Sequence, residues 1–264
     1  MLASTATQAS ATRTASRERT SFYFWIAVAM AATGFIGFMP TFWLPMIRGA
    51  FTSPVITIHA FVSSAWLLLF VLQTWLVASG RTARHRDMGL LGVATATGLL
   101  IFAVMAAINQ TQRAAAAGDL EAGLRFMVLP IAQASLFALL VVAAMICIHR
   151  PDWHRRLLVV ATAMLMDGPV GRFLLFFFVF HRHMPVPAGM PSPPPPVDSG
   201  YPLGLLLDIF FFIPIAYDWR TRGFPHPAYL VGYGAVVLMR LLRPALSLTQ
   251  TWHAVAVWIL SLAK

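Results

Sequence analysis

The chain has 264 residues, of which 59% are hydrophobic and only 11% charged, with a mean hydropathy of +0.74. A soluble domain carries about 45–50% apolar and about 25% charged residues, so a soluble globular fold is excluded. The formal net charge of +10, from 19 Lys+Arg against 9 Asp+Glu, is of the kind that collects in the loops beside membrane helices. No basic helix face interleaved with aromatic residues is present, and a nucleic-acid partner is not expected. The single Cys147 lies in an apolar run and reads as a small buried hydrophobe, without an internal disulfide.

Residues 1–21 are rich in Ala, Ser and Thr and read as a disordered tail. Arg13, Arg17 and Arg19 with few acids also give this tail the composition of a transit peptide. From residue 22 the chain reads as one all-α domain, an integral membrane bundle of seven or eight transmembrane helices. The first span, 22–46, is too long for the apolar region of a signal peptide, and Pro40 and Pro45 should bend its far end. Spans two and three cover 55–78 and 88–108, followed by a polar loop with Asn109, Gln110, Arg113, Asp119, Glu121 and Arg125. Spans four and five cover 126–148 and 157–180. The proline-rich segment 181–202 should be an extended loop. Span six covers 203–217 and span seven 228–242, with a break at Arg243-Pro244. The last apolar run, 246–263, is either an eighth span or a helix lying against the bundle.

Arginines alternate between the two sets of loops. Arg13, Arg17, Arg19, Arg81, Arg84, Arg86, Arg150, Arg155, Arg156, Arg220 and Arg222 fall on one side; Arg48, Arg113, Arg125 and Arg182 fall on the other, with Arg240 and Arg243 near its ends. The positive-inside rule then places the N-terminus in the cytoplasm and the proline-rich loop outside a bacterial inner membrane. The turns GRTARHRDMG and HRPDWHRRLL resemble each other and hint at an internal repeat.

Histidines and intramembrane charges carry the chemical signals. His85 opens span three and His154 opens span five at a shared depth, where two facing imidazoles can hold a b-type haem. The same positions suit side chains resting among head groups. His59, Trp66 and Gln73 recur every seven residues on span two, which puts them on one helix stripe. That stripe is either a set of interhelical hydrogen bonds or one wall of a ligand, quinone or haem pocket. His181 and His183 form a weak copper or zinc motif. Asp167, Arg172 and Asp208 lie inside spans, where each charge costs roughly 2.5–3.5 kcal/mol and calls for a partner. At about 1.5 Å per residue, Arg172 and Asp208 come to a similar depth, which predicts an ion pair between them. Asp167 sits beside Gly168-Pro169, where a kink should free carbonyl oxygens. No Gly-rich phosphate loop, G-x-S-x-G or H-E-x-x-H is present, so hydrolytic and ATP-driven chemistry have no support.

The stretches FWLPMIRGAF, GRTARHRDMG, RPDWHRRLLVVAT and YDWRTRGFPHP, with the His59-to-Trp66 segment, resemble a family of polytopic bacterial inner-membrane proteins of uncharacterised activity. More distantly, the His85 and His154 placement is similar to diheme b-type cytochromes of the transmembrane ferric-reductase class. That resemblance implies haem b and electron transfer, although span four supplies no intramembrane histidine for a second pair. Three functions are therefore expected: electron transfer through a b-haem or to a quinone, with His85, His154 and His59 as the binding residues; a proton-coupled small-solute transporter, with Asp167, Arg172, Asp208 and Gln73 as an intramembrane polar cluster; or a non-catalytic accessory subunit in which the charges are clamps.

Overall fold

A computed structural model describes residues 21–50, 53–175 and 208–263. The expected tail, the proline-rich loop and His181 and His183 lie outside the described residues. All regular secondary structure among the described residues is helical. In chain order the helices are α1 (Ser21–Ile47), α2 (Pro54–Ala78), α3 (Thr82–Ala116), α4 (Leu120–Ile146), α5 (Pro151–Met164), α6 (Asp167–Leu175), α7 (Ile209–Arg222), α8 (Pro227–Ser247) and α9 (Gln250–Ser261). Among the described residues, α1–α4 and α8 are long and apolar enough to cross a membrane. The chain is thus an all-α, multi-pass membrane protein.

Local chemistry explains the helix ends. Ser53 accepts a hydrogen bond from the Ile56 amide at the start of α2, with Pro54 in the first turn. Asp119 does the same for Ala122 at the start of α4, just after Gly118, whose φ of +84° reverses the chain at no steric cost. Pro40 and Pro45 do not end α1. The helix widens into a π turn over Met39–Trp43 and continues to Ile47.

Span five divides into α5 and α6 at Leu165-Met166, one turn before Gly168-Pro169. The missing Pro169 amide and its ring act on the preceding turn, which moves the break in that direction. Gln133 of α4 donates to the freed Met164 carbonyl at 2.6 Å. The last apolar run resolves into α9, whose 12 residues cover about 18 Å against a hydrocarbon core of about 30 Å. It lies against α3 and α4, with Trp252 Nε1 donating to the Leu124 carbonyl at 2.9 Å.

The core runs along α5. Val159, Val160, Ala161, Ala163 and Met164 are fully buried against Phe137 of α4 and Tyr229 and Val236 of α8. Trp66 of α2 meets Phe137 at 5.1 Å between ring centres and donates to the Thr162 hydroxyl at 3.3 Å. Outside this core, Leu68, Leu90, Ile101, Leu139 and Val231 are exposed, which suits an apolar surround.

Candidate functional site

Three polar centres interrupt the apolar bundle. The first joins α6, α7 and α8. Asp167 is the first residue of α6, and Asp208 immediately precedes α7, so both acids lie at helix N-termini that favour negative charge. Arg240 of α8 reaches both: Nη2 bonds Asp167 Oδ1 at 2.7 Å, and Nη1 bonds Asp208 Oδ1 at 2.5 Å. Tyr233 donates its hydroxyl to the other Asp208 oxygen at 2.7 Å. All three charged side chains are at most 15% exposed. Arg243, one turn beyond Arg240, adds a second positive charge near Asp167.

The ion pair expected between Arg172 and Asp208 does not form. The two match in depth, but Asp208 turns toward α8 and Arg172 toward α1, where its guanidinium lies 5.9 Å from the Phe38 ring centre. Arg240 was missed because it sits beside Arg243 near a span end, where arginines set topology. The available signal was the spacing of Tyr229, Tyr233 and Arg240, which places two hydroxyls and a guanidinium on one face of α8.

The second centre is the histidine pair. His85 and His154 come together as their shared depth predicts, with ring centres 6.4 Å apart and planes at 82°. His154 Nδ1 lies 2.8 Å from the Ala144 carbonyl, which selects the tautomer with a free Nε2. His85 Nδ1 and Gln73 Oε1 are buried without hydrogen-bond partners among the described residues. Two axial bonds of about 2 Å plus two half-rings separate imidazole centres by roughly 6 Å, so the spacing fits a pair of ligands to one iron. Among the described residues no three His, Cys, Asp or Glu side chains group to hold a metal ion. His59, two turns from Trp66 on the same stripe, likewise leaves Nδ1 buried and unpartnered among the described residues.

The third centre unites two motifs that the sequence analysis treated as loops. Arg156 of α5 forks onto Asp218 of α7, Nε to Oδ2 at 2.8 Å and Nη2 to Oδ1 at 2.6 Å. Arg156 also bonds the Asp152 carbonyl oxygen at 2.9 Å and its carboxylate at 3.1 Å. Arg155 pairs with the same carboxylate. Asp218 further accepts the His226 amide at 3.1 Å, fixing the turn into α8. His226 Nδ1 in turn accepts from the Ala228 amide, capping α8. Burial, reinforced by Arg156 and Arg222, holds the His226 imidazole below its ordinary pKa despite Asp218 and Asp152 nearby.

The site thus belongs to an all-helical, multi-pass membrane protein with charges buried between its helices. The chain matches no protein-family model, no curated protein and no solved structure.

Proposed function

We propose that the chain is a proton-coupled carrier of a small solute in a bacterial inner membrane, with its N-terminus and arginine-rich turns on the cytoplasmic side. The observation that carries this reading is the Asp167–Arg240–Asp208 bridge beside the α5–α6 break. One guanidinium between two carboxylates holds three helices together. Protonating either carboxylate removes half of the bridge and releases α6 or α7 from α8. A proton therefore binds the released state better, which is the requirement for shifting a two-state equilibrium. Reconstituted vesicles with a lumenal pH dye test this. Addition of a panel of amino acids, sugars and carboxylates should change lumenal pH beyond empty vesicles for at least one solute. Asp167→Asn should abolish that response. No response above empty vesicles, or one unchanged in Asp167→Asn, refutes the reading.

The His85–His154 pair supports a second reading, electron transfer through a b-haem held by these two residues. Bound there, haem would supply one-electron chemistry. His154 is oriented for ligation by the Ala144 carbonyl, and His85 would use Nδ1, which has no hydrogen-bond partner among the described residues. A reduced-minus-oxidised absorption spectrum of protein expressed with ample haem should show a Soret feature that His154→Ala removes. A flat spectrum sinks this reading.

A further inference from the structure

We propose that Arg172, with His59 and Phe38, forms a recognition site for a small monocarboxylate, which defines the solute class of the carrier. Its part in transport rests on the carrier reading; binding itself does not. The arginines buried between helices are matched by acids: Arg240 by Asp167 and Asp208, and Arg156 by Asp218 and Asp152. Arg172 has no carboxylate within ion-pair distance among the described residues, and its contact is the face of Phe38 at 5.9 Å. A cation at such a position in an apolar bundle is costly unless an anion accompanies it. Arg172 lies at the surface of the helical bundle rather than sealed inside it.

Two hydrogen-bonding groups on α1 and α2 are unused, Thr41 three residues beyond Phe38 on α1 and His59 on α2. His59 Nδ1 and Thr41 Oγ1 are both buried without partners among the described residues. Thr41 lies in the π turn of α1, a distortion frequent at functional sites. That segment is held to α6 by close packing, since a Cβ on Gly37 would come within 2.5 Å of the Pro169 carbonyl oxygen and one on Gly168 within 3.5 Å of the Phe38 ring. The charge of Arg172 is also felt at His59 on α2. α1 and α6 thus meet beside a guanidinium that has no carboxylate partner among the described residues, within electrostatic reach of His59 on α2.

The chemistry selects the ligand. A guanidinium presents a planar fork that matches a carboxylate through two parallel hydrogen bonds. One guanidinium balances one negative charge, whereas a doubly charged phosphate would want a second cation. The Phe38 ring gives an apolar substituent a surface to rest on.

The test uses the full chain purified in detergent, with acetate, hexanoate and benzoate as probes and their neutral amides as controls. At least one carboxylate should raise the melting temperature by several degrees while its amide does not. Calorimetric affinity for that probe should fall at least about ten-fold in Arg172→Gln, the loss expected for one charge-assisted hydrogen bond. His59→Phe should weaken it less, and Arg172→Lys should retain part of it. If Arg172→Gln does not fold, Arg172→Lys and His59→Phe decide: unchanged affinity in both overturns the proposal. No shift with any carboxylate, or an equal shift in Arg172→Gln, also overturns it. Binding without flux refutes the carrier reading alone, and flux lost in Asp167→Asn without carboxylate binding refutes only this site.

Discussion

The guanidinium of Arg156 and the carboxylate of Asp218 meet as a two-bond fork between α5 and α7, each about 1% exposed. Residues 62 positions apart in sequence are thereby locked at the arginine-rich end. The fork also orients the turn into α8, because Asp218 receives the His226 amide. Removing one partner strands the other charge. Asp218→Ala should therefore cost about 3–5 kcal/mol, the usual penalty for breaking a buried pair. Unfolding in detergent should show this as a sharp drop in melting temperature. The double change Arg156→Met with Asp218→Leu should recover most of it, since no charge is left unpaired.

Arg240 faces the opposite situation, with two acids sharing one base. Arg240→Leu leaves Asp167 and Asp208 without their bridge, and we expect failure to recover monodisperse protein from detergent. Adding Asp167→Asn and Asp208→Asn to that variant should restore recovery, because the neutral amides no longer need the cation. Tyr233→Phe removes only the hydroxyl that bonds Asp208. A hydrogen bond to a charged group contributes about 1.5–3 kcal/mol, so the variant should fold with a lower melting temperature.

Part of this arrangement was legible in the chain. Composition and run lengths gave an all-α membrane bundle, and the long apolar helices overlap the expected spans, but Asn109, Gln110 and Arg113, expected in a loop, lie in α3, and Glu121 and Arg125 lie in α4. The shared depth of His85 and His154 correctly brought them together. Depth follows from the fixed rise per residue, but rotation about the helix axis and the choice of neighbour do not. That is why Arg172 and Asp208 were matched in depth and yet face different helices. Arg156 and Asp218 escaped notice for another reason. Arginines near helix ends have a sufficient explanation in topology, and the fork between RPDWHRRLL and YDWRTRGFPHP only becomes visible once α5 and α7 pack.

The break in span five leaves a backbone group that another helix must satisfy. Gln133 of α4 does so at the Met164 carbonyl, 2.6 Å away. Gln133→Leu keeps the volume roughly equal but leaves that carbonyl without its donor. An unsatisfied buried acceptor costs about 1–3 kcal/mol. The measurable outcome is a lower melting temperature, with Gln133→Glu restoring it only under conditions that protonate the glutamate and return a donor.

The N-terminus of α8 makes stability depend on pH. His226 caps that helix through Nδ1, which accepts from the Ala228 amide. Only the imidazole with an unprotonated Nδ1 can accept, and burial together with Arg156 and Arg222 lowers its pKa from the ordinary 6.5. Between the folded and ordinary values the unfolded chain binds more protons than the folded one, so stability increases with pH in that window. The contribution is present above pH 6.5 and is lost as pH falls through 6.5 toward the lower folded value. Melting temperature should therefore drop between about pH 8 and about pH 5.5, a range in which carboxylates of ordinary pKa stay charged. His226→Asn supplies a cap that does not titrate, with a strong preference for this position. It should flatten this drop while leaving stability at about pH 8 close to that of the parent chain. An unaltered pH profile in His226→Asn would show that the cap of α8 does not set the dependence.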